Sequence, residues 1–136
     1  MFWAHGNYEL KKDSNILYVT ASGPFNRETI IALKRDLPKV INELSGSPWG
    51  EIAVLKNECA YTPEALEELL KSFQDRTRKN LVAIAIVFQE AECRALARYQ
   101  LESIFKLCTY LKWKFCEDIQ SARSWCDAIL SGSAVH

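Results

Sequence analysis

The chain has 136 residues, with 17 lysines and arginines against 17 aspartates and glutamates, and 49% of it is apolar. That length makes a single domain, residues 1–136, with a real core, and the charge balance leaves no long-range field to attract nucleic acid. No apolar run approaches the roughly 20 residues of a membrane-spanning helix, and Met1 to Gly6 has neither the basic region nor the apolar stretch of a signal peptide, so the cytoplasm is the expected location.

The chain opens on two strands, β1 from Tyr8 to Lys12 and β2 from Ile16 to Ala21, joined by the turn formers Asp13, Ser14 and Asn15. Asn26 is a good N-cap for a helix α1, whose apolar set Ile30, Leu33, Leu37, Ile41 and Leu44 repeats at helical spacing. Pro38 removes one backbone donor, so it should kink this helix or end its first part. Ser45 to Pro48 reads as a loop. Ile52 to Leu55 is a short strand, β3.

Thr62 as N-cap and Pro63 at the first helical position start α2, with Glu64, Glu67 and Glu68 early and Arg76, Arg78 and Lys79 late. Those three cations either complement the helix dipole or meet anionic headgroups. Leu66, Leu69, Leu70 and Phe73 form one apolar stripe along α2. The run Leu81 to Phe88 has no polar residue, which marks a strand, β4, covered on both faces in the sheet interior. Polar alternation in β1 (Glu9, Lys11, Lys12) suits the single antiparallel edge strand.

A third helix, α3, is expected from about Glu90 to Lys112, with an apolar arc far wider than one stripe: Cys93, Leu96, Ala97, Leu101, Ile104, Phe105, Leu107, Cys108 and Leu111. Its narrow polar face carries Arg98, Glu102 and Lys106 four apart, an ion-pair ladder. Such an arc meets core neighbours, a second subunit, a ligand or a membrane surface. Lys114 to Cys116 forms β5, and α4 begins at Ile119 or Gln120 and buries Ala122, Trp125 and Ile129. Residues 131–136 make a polar tail that should fray.

Five cysteines (Cys59, Cys93, Cys108, Cys116, Cys126) include no C-x-x-C pair, so free core thiols are expected. His5 and His136 are the only histidines, which leaves almost no material for a metal site or a nucleophile–histidine pair. Cys59 precedes a helix N-terminus that would favour its thiolate, yet has no histidine to activate it. The pairs Glu90/Glu92 and Glu117/Asp118 read more simply as end-of-element charges than as acid–base couples. No catalysis, metal or cofactor is expected.

The order of elements, with Ile16 to Asn26, Pro48 to Asn57, Phe115 to Ala122 and Trp125, resembles the SpoIIAA-like family of bacterial proteins. That family shares its fold with STAS domains, including the anti-sigma-factor antagonists, and with CRAL-TRIO carriers of lipophilic molecules. The resemblance implies an α/β fold, a right-handed β-α superhelix with a mixed sheet of about five strands and four main helices. The antagonists carry a phosphorylatable serine at the start of the helix after the third strand; the matching Asn57 to Thr62 has no serine, and Thr62 serves as a cap. In the carriers a ligand lies between the sheet and mobile helices. Carried over, that makes α2 and α3 the walls of a site for a lipophilic small molecule or lipid, lined by Leu66, Leu70, Phe73, Leu96, Tyr99 and Ile104, with Arg76, Arg78 and Lys79 toward a membrane surface. The alternative is a STAS-like module binding a protein partner or a second copy of itself.

Overall fold

The computed structural model describes residues 7–132. A five-stranded sheet in the order β1-β2-β3-β4-β5 is antiparallel between β1 (Asn7–Asp13) and β2 (Ile16–Ser22), and parallel thereafter. The fold is therefore α/β, with a mixed sheet, β1 as its antiparallel edge and β4 (Leu81–Glu92) inside it. The edge position suits β1, which leaves most of its side chains in water, whereas Ile84, Ile86 and Val87 of β4 are buried on both faces.

Three crossovers joining neighbouring parallel strands in sequence turn with one hand, so their helices share a face of the sheet. These are α1 (Arg27–Leu44), α2 (Pro63–Arg78) and α3 (Arg94–Phe105). Between them and the sheet lies the main core, which includes Leu17, Val19, Leu33, Phe73, Ile84, Leu101 and Phe105. The last helix, α4 (Ile119–Leu130), joins no further strand and covers the other face, where Ala122 and Cys126 pack on Ile16, Ile52, Val54, Ala85 and Val87.

Local chemistry sets most helix starts. Asn26 accepts from the Thr29 amide at 3.0 Å, Thr62 from Ala65 at 3.1 Å and Asp118 from Ser121 at 2.7 Å. The Ser121 hydrogen bonds hold Asp118 below the usual carboxylate range. Asp118→Ala is expected to lower stability by loss of this cap, measured as a fall in urea midpoint with unchanged slope.

Of the two outcomes open to Pro38 the early end falls away, since α1 runs on to Leu44. One expectation needs correction. Helix α3 does not reach from Glu90 to Lys112: β4 continues to Glu92 because its end pairs with Glu58 of β3 (Trp49–Glu58), and the helix stops at Phe105. There Leu107 and Cys108 bond back to Ile104 and Phe105, tightening the last turn, and Tyr110 adopts a left-handed φ of 67° before β5 (Lys112–Cys116) begins. The apolar arc read along one long helix therefore belongs to a helix and a turn. Of the tail, Ser131 and Gly132 form a turn after α4, and the rest, with His5 and His136, lies outside the described residues.

Candidate functional site

The helix-facing side of the sheet alternates Trp49, Glu51, Ala53 and Leu55 along β3, so strand periodicity turns Glu51 inward. It is only 1% exposed, as is Arg76, which reaches it from the last turn of α2. The Arg76 Nη1 atom lies 2.9 Å from both Glu51 oxygens, Nε and Nη2 donate to Ser72 Oγ at 3.2 and 2.9 Å, and the guanidinium sits 4.0 Å over the Phe73 ring. Burial raises the Glu51 pKa above the usual carboxylate value, and the charge of Arg76 opposes that rise.

The pair borders a void of about 50 Å³ between the helices and the sheet, whose other walls include Val19, Leu33, Ala53, Leu55, Phe73 and Phe105. The lining is almost wholly apolar, with Glu51, Arg76, Thr29 and two tyrosines as its polar members. Tyr8 donates its hydroxyl to Asp36 at 2.5 Å and its pKa rises to about 12, mainly through burial. Burial also pushes Tyr61 up. Tyr61 closes one end by stacking on Phe25, ring centroids 4.9 Å apart, and its backbone amide and carbonyl exchange hydrogen bonds with the Gln100 side chain of α3.

The six residues assigned to the ligand pocket separate here. Phe73 lines the void and meets Phe105 edge to face at 5.2 Å. Ile104 is buried in the core beyond the void, and Leu66 and Leu70 are half-buried on its flank. Leu96 and Tyr99 are 49% and 73% exposed, because α3 turns Ala97, Leu101, Ile104 and Phe105 to the core and leaves its opposite side in water. Arg76 is likewise removed from the surface set. Arg78 and Lys79 remain exposed, Lys79 paired with Asp75 at 3.2 Å while its carbonyl accepts from the buried Trp49 indole at 2.7 Å.

The other candidates take structural places. Thr62 caps α2. Cys59 is fully buried, donates to the Glu92 carbonyl at 3.2 Å and has its pKa raised by burial, which makes it a protonated core thiol rather than a nucleophile. The cysteines are all unpaired. The expected ladder on α3 is reduced to Arg98 and Glu102 at 3.8 Å. No group of three or more histidine, cysteine or acidic residues able to hold a metal occurs among the described residues, and no helix there is long and apolar enough to cross a membrane.

Sequence reasoning missed Glu51. The one available signal was a lone carboxylate beside the apolar run Ile52 to Leu55 in a strand covered on both faces.

No protein-family model matches the chain, and no curated protein matches it. Among solved structures it is similar to an uncharacterised protein of the DUF3478 family from Shewanella loihica PV-4, described as having a SpoIIAA-like fold, at 18% identity and a TM-score of 0.57. The match covers 93% of this chain and 97% of that one. At that identity the likeness speaks for architecture alone, and with the element order and mixed sheet it gives this chain a SpoIIAA-like fold.

Proposed function

We propose that the chain is a non-enzymatic binding module that takes a lipophilic molecule between its helical layer and the sheet. The observation that carries this reading is the apolar-walled void with a buried ion pair in its lining, the pattern of a small-molecule site in which a few polar groups fix orientation. At about 50 Å³ the void holds only water-sized occupants as it stands, so loading requires the helices to part from the sheet. Opening would have to break the contacts that hold α3 to the β3–α2 connection, the Gln100–Tyr61 hydrogen bonds, and to α2, the Phe73–Phe105 contact.

Freshly purified protein is expected to carry a lipophilic mass in native mass spectrometry. Ala53→Val, which grows into the void from β3, should lose that mass while keeping its melting temperature. Flotation with vesicles containing anionic lipid tests loading at a membrane surface, and Leu70→Glu on the half-buried flank of α2 should abolish it without unfolding the protein. Wild-type protein that carries no lipid, takes up none from a lipid extract and never floats would sink this reading.

A second reading, a STAS-like protein-interaction module, is favoured by one observation. Leu96 and Tyr99 on the outer side of α3, with Leu107 and Tyr110 in the turn that follows, stand exposed. A protein retained through purification by the wild type and lost in Leu96→Asp/Tyr99→Asp would support it.

A further inference from the structure

A second site lies away from the void, at the carboxyl ends of β4 and β5, the side of a parallel sheet where open α/β folds place their ligands. There the start of α3 stands off from the sheet and leaves an open cleft of about 570 Å³, within the size range of small-molecule sites. Its floor is an aromatic shelf: Phe88 and Phe115 stack with centroids 5.9 Å apart and planes 13° from parallel. Its wall is cationic, because Arg94 and Arg98 both line it, and Arg98 lies 4.6 Å over the Phe115 ring.

These two arginines are placed at an electrostatic cost. They sit four apart on one helix, where like charges repel, in the first two turns, where the helix dipole is positive. No acidic residue stands in the first turn of α3, and Cys93 at its N-cap makes no side-chain cap hydrogen bond. Two arginines elsewhere have close acid partners, Arg76 with Glu51 at 2.9 Å and Arg123 with Asp13 at 2.9 Å. By contrast Arg94 makes no ion pair among the described residues and donates only to the Ala91 carbonyl at 3.3 Å, while Arg98 has Glu102 at 3.8 Å. Glu117 is the sole carboxylate lining the cleft.

We propose that this cleft binds a small organic oxyanion, a phosphate ester or a carboxylate joined to a flat ring. The anion meets the Arg94 and Arg98 guanidinium groups, whose fork geometry matches both oxyanions, and the ring lies on the Phe88–Phe115 shelf. Such a ligand relieves the repulsion between the arginines and covers two aromatic rings left partly in water.

Amide chemical shifts of isotope-labelled full-length protein, titrated with phenyl phosphate, phenylacetate, benzyl alcohol and inorganic phosphate, test the assignment. Phenyl phosphate or phenylacetate should move the amides of Arg94, Ala95, Arg98, Cys116 and Glu117, and the better of the two tells phosphate ester from carboxylate. Benzyl alcohol and inorganic phosphate should bind at least about tenfold more weakly, since each lacks one half of the recognition. Arg94→Gln and Arg98→Gln should each weaken the anion by about tenfold or more, and the double variant should abolish saturation with an unchanged melting curve, both side chains being exposed. The proposal is overturned if neither ring-bearing anion moves these amides at millimolar concentration. It is equally overturned if the double variant binds like wild type, or if benzyl alcohol or inorganic phosphate binds as well as the anion.

Discussion

Arg76→Met is expected to destabilise the protein by about 3–5 kcal/mol at neutral pH, the usual cost of stranding one member of a buried ion pair, whereas Glu51→Leu/Arg76→Met should fall within about 2 kcal/mol of wild type on either side. Desolvation sets the size of the effect. Both side chains are 2% exposed, and the carboxylate has given up water in exchange for one guanidinium. Taking away the guanidinium leaves that loss uncompensated, while taking away both groups exchanges it for apolar packing against Phe73 and Ala53 at the wall of the void. For a chain of this size the single variant should melt roughly 10–20 °C lower.

The pH dependence has a definite sign. With Arg76 gone only burial acts on Glu51, and burial raises its folded pKa above the unfolded value near 4.5. A raised carboxyl pKa means that the folded state holds the proton more tightly, so the stability it contributes is present below about 4.5 and is lost as pH rises through the folded pKa. The gap between wild type and Arg76→Met should therefore widen from pH 4.5 to pH 7. Asp36 and Glu68 run the other way: a hydrogen bond from Tyr8 and one from Lys34 hold them below the usual range, so their contribution is present above pH 4.5 and fades as pH falls. Thermal melts of the three proteins across that range decide the matter. A single variant as stable as wild type, or a double variant less stable than the single, would remove the ion pair from its place in this account.

Phe105→Ala carries the second large effect, about 3–5 kcal/mol. The ring is fully buried, packs on Phe73 and lies 5.9 Å from Trp113, so truncation loses contacts on two sides and leaves a hole that the surrounding elements fill only in part. Because Phe105 also borders the void, the new space joins the existing one, and an apolar probe such as benzene should bind there and recover part of the lost stability. Leu96→Ala provides the internal control. Its side chain is 49% exposed on the same helix, and the substitution should cost no more than about 0.5 kcal/mol. Equal urea midpoints for the two variants would show that the helix faces are wrongly assigned.

The sequence by itself determined the features written within a few residues of one another. Asn26 and Thr62 mark helix starts because a side-chain acceptor and an orphan amide lie three residues apart. Leu81 to Phe88 marks an interior strand because no residue in it tolerates water, and the polar alternation of β1 marks an edge. Element order and edge strand followed from these.

Only the tertiary structure decided what depends on distant partners. Arg76 reads as one of three cations ending α2, and nothing local shows that strand periodicity turns Glu51, 25 positions away, toward it. Glu90 to Glu92 reads as the start of a helix until β3 supplies a partner strand long enough to keep those residues extended. Leu107, Cys108 and Leu111 continue a helical period, yet the chain must turn there to reach β5, so Leu107 is left in water while Cys108 and Leu111 enter the core. The face of α3 that packs on the sheet, with Ala97, Leu101 and Phe105, leaves Leu96 and Tyr99 on the opposite side, and the pairing of β4 with β5 brought Phe88 and Phe115 together beneath Arg98. Caps and periodicity act over three or four residues, whereas burial of a charge, the length of a strand and the walls of a cleft are set by whichever segments the folded chain packs beside them.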